Sequence, residues 1–382
     1  MLDTIRLTLS KDMFWVMDKT YFQKETQNAL RGYFTLVQNP TKSELKNGIY
    51  KPRLTMTKRF NTTGRHEATL AIEFSAPKLL YGNNFDELGE TDFTPVVALL
   101  QSRLKEMGVG VFTSILENAP VSAIHYSKNI PLTNGTTPHL LIGKIKQANF
   151  SLALDVNQTD YRNDGHSFKW HSNSYEVAFY DKLKDLEMAN KSEKRAIEGD
   201  NAIQLNLFEA FKERKRLEVL RMEVRLNKRQ KIGQLFRTLG IQSELTLKNL
   251  FNPTIAQRIL LHHLDELESK RLLLFDYKPT TSNSLLADLA INNPHIGIRK
   301  TMQLFGLKQA FDSTTPRELR NMFGKYGQRS WYRLIAEAKT IKLPTTKSPL
   351  GVIREHLTRF EPLKLVDFEG LMLNNDKYNL YD

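Results

Sequence analysis

The segment from Leu217 to Leu226, with the sequence LEVLRMEVRL, constrains the fold most strongly because its apolar and polar residues alternate strictly from Leu220 onward. Alternation with a period of two predicts a β-strand that buries one face. The apolar side consists of Leu220, Met222, Val224 and Leu226, and the polar side of Arg221, Glu223 and Arg225. A side that reads Arg-Glu-Arg is typical of an exposed sheet edge or of the wall of a site, and it also fits a surface ladder of ion pairs, which stabilises a protein little.

Other alternating segments before residue 240 predict further strands. They are Thr4–Leu9, Gly32–Val37, Ile49–Met56, Thr69–Ser75, Ala119–Lys128 and Tyr175–Tyr180. A helix is predicted from Thr94 to Met107, where apolar residues recur at helical spacing, and a charged helical stretch from Glu187 to about Lys215.

The pattern changes near Gly240, where the alternation ends and helix-length segments follow. These segments are Pro253–Glu268, Asn283–Ile291, His295–Phe305, Thr315–Gly324 and Ser330–Ala338. We therefore expect an α+β protein with two domains, a mixed domain over residues 1–240 and a smaller, all-helical domain over residues 241–382.

The absence of cysteine from all 382 residues excludes disulfides, thiolate-zinc sites and cysteine nucleophiles. Any bound metal must be held by His, Asp and Glu, which favours Mg or Mn where oxygen ligands predominate. No apolar run approaches the roughly 20 residues that span a bilayer, and the N-terminal residues do not resemble a secretory signal. We therefore expect a cytoplasmic protein that has no contact with a membrane.

The formal net charge of +13 indicates a polyanionic partner, and nucleic acid is the first candidate. The charge is concentrated between Lys212 and Arg237, where ten Lys or Arg residues stand against three Glu residues. Such a run is either a solvated helix face or a track for phosphates.

The strand from Tyr175 to Tyr180 ends on a tyrosine that is followed by Asp181, Lys182 and Lys184. Its hydroxyl is therefore expected where the sheet meets charged chain, which suits a nucleophile facing a phosphate. If the chain stays extended, Lys182 lies on the same side as Tyr180 and can assist it. A tyrosine at a strand end can equally be a packing residue with a solvated tip.

Two further residues within predicted strands are candidate metal ligands. Glu73 is either exposed to solvent or a ligand, and His125, between Ile124 and Tyr126, is either structural or a ligand. The pattern leaves both alternatives open.

Four motifs occur in an order that resembles the gene II/X family of phage and plasmid replication proteins. The motifs are S-x-x-K-x-x-x-G-N-N (Ser75, Lys78, Gly82, Asn83, Asn84), a strand with His125, F-Y-D-K with a downstream acid (Phe179, Tyr180, Asp181, Lys182, Glu187), and R-x-E-x-R-L (Arg221, Glu223, Arg225, Leu226). The resemblance extends from about Thr69 to Leu239 and, more weakly, to RSWYRLIAEAK in the helical tail.

The resemblance implies an antiparallel-sheet, HUH-like nuclease domain followed by a helical domain, and an initiator of rolling-circle replication. Tyr180 matches the family's nucleophile and Lys182 the basic residue beside it. The enzyme would use Mg or Mn, held by His125 and Glu223 with Glu73, to nick DNA and form a 5′-phosphotyrosine link and a 3′-hydroxyl primer, and would later rejoin the strand. The implied partners are single-stranded or melted origin DNA and a bacterial host's helicase and polymerase.

The implied DNA contacts are Lys78, Asn83, Asn84, Arg221, Arg225, Lys228 and Arg229, with Arg329, Trp331 and Arg333 in the tail. The chain departs from the family's pattern in two respects. It has no His-hydrophobic-His motif, and His125 occupies a strand position that looks like an Asp in filamentous-phage relatives. In addition, Glu73 does not correspond cleanly to an acid in those relatives. These departures bear on which metal the chain prefers.

Two other functions fit the same sequence. One is a non-catalytic, sequence-specific DNA-binding regulator in which Tyr180 and Glu223 are structural; the other is a metal-dependent nuclease that uses water.

Tyr175 is the tyrosine nearest to Tyr180 in the sequence. Because it lies five residues away along a strand, it points to the opposite face, so we expect a single-tyrosine enzyme.

Overall fold

The structure is a computed structural model, and it describes most of the chain. The described residues are 1–28, 33–60, 66–132, 135–147, 159–162, 165–185, 218–269, 274, 277–314, 316–344, 348 and 350–364. The charged stretch predicted to be helical after Glu187 lies outside these residues, as do residues 212–217 of the basic segment.

A ten-stranded sheet in the order β3-β4-β5-β6-β1-β8-β12-β11-β10-β9 forms the centre of the fold. Its strands are β1 (Leu2–Ser10), β3 (Gln23–Asn28), β4 (Tyr33–Gln38), β5 (Arg53–Phe60), β6 (His66–Ser75), β8 (Val121–Pro131), β9 (Thr159–Arg162), β10 (Ser167–His171), β11 (Tyr175–Asp181) and β12 (Val219–Leu226). Every neighbouring pair in the sheet is antiparallel. The expected α+β class with a large antiparallel sheet is therefore confirmed. Two short strands, β2 (Trp15–Val16) and β7 (Val109–Gly110), pair separately.

The helices of the described residues are mostly short. They are α1 (Lys42–Lys46), α2 (Ala76–Tyr81), α3 (Phe93–Glu106), α4 (Thr113–Glu117), α5 (Pro138–Gln147), α6 (Arg229–Thr238), α7 (Leu247–Leu250), α8 (Pro253–Ser269), α9 (Ser282–Asn292), α10 (Ile298–Ser313), α11 (Pro316–Phe323), α12 (Gln328–Lys339) and α13 (Gly351–Arg359). None of the described helices is long and apolar enough to cross a bilayer.

The two faces of the sheet differ because its strands alternate. On β12, Met222 and Val224 are fully buried in a hydrophobic core, and α5, α6, α8 and α13 pack on this apolar side. The opposite side, called the polar face below, carries Arg221, Glu223 and Arg225 on β12 and the residues in register with them on β8 and β11. An antiparallel sheet with one covered face leaves the other available for a site.

Two hydrophobic cores organise the described residues. The larger extends from Met1 to Leu267 and includes Leu350 to Phe360, so that α8 and α13 belong to the core of the sheet. The smaller extends from Leu274 to Ile341, contains no strand residues, and is built mainly from α9, α10, α11 and α12. The expected domain boundary at residue 240 stays a prediction. The chain passes from the larger core to the smaller core between α8 and α9, and it returns to the larger core at α13.

Candidate active site

An open cavity of about 500 Å³ lies on the polar face, above the centre of the sheet. Its lining includes Glu73 and Ser75 from β6, His125 from β8, Tyr180 from β11, and Glu223 and Arg225 from β12. Antiparallel register places these positions side by side: Arg225 stands opposite His125, and Glu223 opposite Ala178, two residues from Tyr180. Residues far apart in the sequence thus meet on one surface, which we call the sheet cavity.

The Tyr180 hydroxyl donates a hydrogen bond to Glu223 Oε2 at 2.9 Å. Burial, reinforced by the negative charge of Glu223, raises the pKa of Tyr180 well above 10. The tyrosine is therefore a neutral phenol at neutral pH, with its proton already directed to a carboxylate.

Glu223 is ionised at neutral pH although it is buried. Burial alone would raise the pKa of Glu223, but the charge and hydrogen bonds of Arg225 outweigh burial and hold it well below its ordinary value. Arg225 donates from Nε to Oε1 at 2.9 Å and from Nη2 to Oε2 at 3.1 Å. Arg225 Nη1 also lies 2.9 Å from Glu176 Oε1. Both carboxylate oxygens therefore have charged partners.

Arg221 anchors the interior end of the site. It is 1% exposed, and its Nη2 lies 3.0 Å from Asp3 Oδ2. Its Nη1 donates to the Asn84 carbonyl at 2.7 Å and to Asn129 Oδ1 at 3.3 Å. The Arg-Glu-Arg side of β12 is therefore not an exposed edge or a surface ladder, since β12 is a central strand on which Arg221 is buried and Glu223 and Arg225 line the cavity. As a DNA contact Arg221 stays a prediction, and its guanidinium does not line the cavity.

The expectation that Lys182 extends beside Tyr180 is wrong, because the chain turns after β11. Asp181 Oδ1 accepts hydrogen bonds from the amides of Leu183 and Lys184, at 3.1 and 3.0 Å, and so starts a helical turn. Lys182 is directed inward, where its Nζ donates to Asn84 Oδ1 at 2.7 Å. Burial and the nearby Arg221 lower the pKa of Lys182 to about 7. The ammonium group of Lys182 thus contacts Asn84 and not Tyr180, and the catalytic role of Lys182 stays a prediction.

The candidate metal ligands come together only in part. His125 Nδ1 lies 3.6 Å from Glu223 Oε1, so these two side chains can offer one nitrogen and one oxygen to the same ion. Glu73 lines the same cavity but does not complete a three-ligand group with them. Mg²⁺ commonly takes one or two protein ligands, together with water and substrate phosphates. The pair His125 and Glu223 therefore fits such an ion, with Arg225 as a competitor for the carboxylate.

A different group of three potential ligands exists among the described residues. The ligand atoms of His262, His263 and Glu266, all on α8, lie within 4.8 Å of one another. This group could hold a metal ion, and it lies on the helix-covered side of the sheet, away from Tyr180. This group was not predicted from the sequence, although two adjacent histidines followed by a glutamate one helical turn later are visible there.

The DNA-binding candidates outside β12 and the helical tail lie in three different places. Lys78 and Asn84 line the sheet cavity. Lys228 and Arg229 are exposed at the start of α6, where Arg229 Nη1 also donates to the Val121 and Leu245 carbonyls at 3.0 and 3.1 Å. Asn83 is engaged within its own loop.

That loop follows α2, which ends at Gly82 with a φ of 71°, a left-handed conformation that favours glycine. Asn83 Oδ1 accepts from the amides of Phe85 and Asp86, each at 2.9 Å. These bonds shape the loop and bring Asn84 to both Lys182 and Arg221.

In the helical tail, Arg329 and Arg333 are exposed. The expectation that Trp331 contacts DNA is wrong, because its side chain is buried in the smaller core and stacks on Phe323 with ring centroids 5.8 Å apart. The tryptophan in this segment is a packing residue.

Several site residues were not found by sequence reasoning. Asp3 gave no signal, since its partner Arg221 is far away in the sequence and the two meet only through sheet pairing. Glu176 did have a sequence signal, because the alternation of β11 places it on the same side of the strand as Tyr180. His166 and Asp181 also line the cavity, with His166 Nδ1 3.2 Å from Asp181 Oδ2.

Tyr175 lies on the other side of the sheet, as its spacing from Tyr180 predicts. Its ring stacks on His263 of α8, with centroids 6.0 Å apart, and Lys231 Nζ lies 4.5 Å from its centroid. Tyr175 therefore does not line the sheet cavity.

Comparison of the chain with protein-family models, with curated proteins and with solved structures finds no match. The likeness to the gene II/X family therefore consists of the motifs alone.

Proposed function

We propose that the chain is a rolling-circle replication initiator that nicks single-stranded or locally melted DNA through Tyr180 and later rejoins the strand. The observation that carries the proposal is the Tyr180 hydroxyl, held 2.9 Å from an ionised carboxylate at the wall of an open, charged cavity. A nucleophile with its proton acceptor in hydrogen-bond contact is the arrangement that covalent catalysis requires. The motif resemblance supports the same reaction.

In the proposed step Tyr180 Oη attacks the phosphorus of one phosphodiester while its proton passes to Glu223. The bond from phosphorus to the 3′ oxygen breaks, and that oxygen takes a proton from solvent to become a 3′-hydroxyl. The phosphate remains joined to Tyr180 as a 5′-phosphotyrosine, so that one phosphodiester is exchanged for another and rejoining needs no nucleotide cofactor. Arg225, held by Glu223 and Glu176, is the cation placed to stabilise charge on the phosphate oxygens.

The high pKa of Tyr180 sets the main energetic requirement of this step. A Mg or Mn ion bound by His125 and Glu223, with Glu73 facing the same cavity, would polarise the phosphate and lower the cost of ionising the phenol. The chain's own groups orient the tyrosine and accept its proton. Removing divalent ions with a chelator is expected to abolish nicking, and adding Mg or Mn to restore it.

The proposed path of the DNA strand crosses the polar face. Cations that line the sheet cavity, Arg53, Lys78, Lys169 and Lys184, would bind the phosphates of the strand, and the net charge of +13 would attract the polyanion. Lys228, Arg229 and the exposed Arg329 and Arg333 are proposed duplex contacts. The free 3′-hydroxyl would serve a host polymerase, with a host helicase opening the duplex.

Transfer of label from DNA to protein tests the proposal and does not require the origin sequence. A pool of single-stranded oligonucleotides of randomised sequence, labelled at the 3′ end, is incubated with the chain in Mg or Mn and run on a denaturing protein gel. Because the protein joins the 5′ phosphate of the released 3′ fragment, the label is expected at the protein band and to be lost after protease treatment. Tyr180→Phe is expected to transfer none, whereas the matched control Tyr175→Phe, on the opposite face, transfers as wild type does.

The two alternative functions predict different results in these gel assays. Cleavage without label on the protein, and unaffected in Tyr180→Phe, identifies a nuclease that uses water. DNA retention in a native gel without any cleavage identifies a non-catalytic DNA-binding regulator. A Tyr175→Phe chain that nicks but does not rejoin circles would refute the single-tyrosine mechanism.

A further inference from the structure

A group of nitrogen-rich side chains lies on α8, on the far side of the sheet from Tyr180. His262, His263 and Glu266 occupy positions i, i+1 and i+4 of the helix, so that Glu266 stands one turn above the two rings and between them. Their ligand atoms lie within 4.8 Å of one another. The sheet cavity and its proposed chemistry do not use these residues.

The distances within the group suit one small cation. His263 Nδ1 lies 3.0 Å from Glu266 Oε2, and the His262 and His263 ring centroids are 5.2 Å apart at an angle of 65°. Donor atoms around four-coordinate zinc lie about 3.3 Å apart, because the bonds are about 2.0–2.1 Å long. The His263–Glu266 pair, at 3.0 Å, is slightly closer than that spacing, and the His262 ring is partly exposed, so its side chain has room to rotate towards the same ion.

His263 is held in place before any ion binds. It is 3% exposed, its ring stacks on Tyr175 of β11 at an interplanar angle of 15°, and its Nε2 is buried without a hydrogen-bond partner among the described residues. A fixed imidazole is the kind of ligand that loses little freedom on binding. The two neighbouring acids of α8, Asp265 and Glu268, are paired with Arg354 and stay outside the group.

We propose that His262, His263 and Glu266 form a second divalent-metal site, selective for a transition ion of the zinc type over Mg. Two imidazoles and one carboxylate are the ligands that zinc prefers, and water can complete the fourth position on the exposed side of Glu266. The bound ion would fix His263 against Tyr175 and so tie α8 to β11. The proposal goes beyond the nicking function and does not depend on it.

Metal titration of the untagged full-length chain tests the site, because the chain has no cysteine and nine histidines in all. Isothermal titration with Zn²⁺ and visible absorption with Co²⁺ are compared in wild type, His262→Ala, Glu266→Gln, His125→Ala and His295→Ala. Circular dichroism establishes that each variant is folded. His295 is exposed and outside the group, so His295→Ala is the matched histidine control.

We expect wild type and His295→Ala to bind Zn²⁺ equally and to give the same Co²⁺ spectrum, and His125→Ala to keep the binding step that depends on His262 and Glu266. Both His262→Ala and Glu266→Gln should weaken Zn²⁺ binding at least tenfold and change that spectrum. Excess Mg²⁺ should not displace the Zn²⁺. Absence of Zn²⁺ binding in the wild type, or binding that is lost in His125→Ala and kept in Glu266→Gln, would overturn the proposal.

Discussion

Replacing Lys182 with methionine should change how the stability of the protein depends on pH. Lys182 is fully buried, and burial together with Arg221 lowers its pKa from 10.5 to about 7. Between these values the unfolded chain binds more protons at this residue than the folded chain, so the free energy of unfolding rises with pH. A shift of this size corresponds to about 5 kcal/mol over the whole interval, at about 1.4 kcal/mol per pH unit.

The assay is urea unfolding of wild type and Lys182→Met at pH 7, 8 and 9. Other titrating groups are common to both proteins and cancel in the difference between them. The wild type should gain about 2 kcal/mol relative to Lys182→Met between pH 7 and 9, because half of its folded molecules carry a neutral amine at pH 7 and nearly all at pH 9. Methionine has similar length and no charge to bury, so Lys182→Met should be at least as stable as wild type at pH 7.

The same variant separates a structural from a catalytic lysine. Since Lys182 Nζ contacts Asn84 and not Tyr180, nicking by folded Lys182→Met should fall less than tenfold. If the stability of wild type relative to Lys182→Met stays constant or falls as pH rises, the pKa of buried Lys182 is not lowered and the prediction is wrong. Loss of nicking as complete as in Tyr180→Phe would show that the lysine acts on the reacting atoms.

Three further predictions concern the site wall, its loop and the smaller core. Glu223→Gln should lower nicking about 10²–10⁴-fold in single-turnover assays, because it removes the proton acceptor of Tyr180; unchanged nicking would eliminate that role. Asn83→Ala should lower the free energy of unfolding by about 1–3 kcal/mol in urea, since one buried and one partly buried loop amide lose their acceptor; an unchanged midpoint would contradict this. Trp331→Ala should destabilise the smaller core by about 3–5 kcal/mol, seen as an earlier thermal transition, and an effect on DNA binding alone would contradict its burial.

Much of the sheet could be predicted from the sequence because a strand with one covered face must alternate. The segment at Leu217 and that at Thr69 became β12 and β6 with little change. The segment from Ile49 to Met56 is displaced, since β5 begins at Arg53, directly after Pro52, which has no amide to donate to a ladder. The gene II/X resemblance, the reaction and the DNA partner stay predictions.

The site was harder to predict because its residues are joined by sheet register and not by spacing. Tyr180, Glu223 and His125 were found individually, and the structure brings them together on three neighbouring strands. Asp3 was missed because nothing local distinguishes it. Lys182 was misplaced because Asp181 caps a helical turn, a local signal that the alternation of β11 obscured.

The most direct measurement is mass spectrometry of the protein–DNA adduct after protease and nuclease digestion. We predict a peptide from the region of β11 that carries a nucleotide through the Tyr180 hydroxyl and that forms only in Mg or Mn. The DNA recovered from the randomised pool should share one sequence at the cut. Cleaved DNA with no modified tyrosine, or a nucleotide on a tyrosine other than Tyr180, would contradict it.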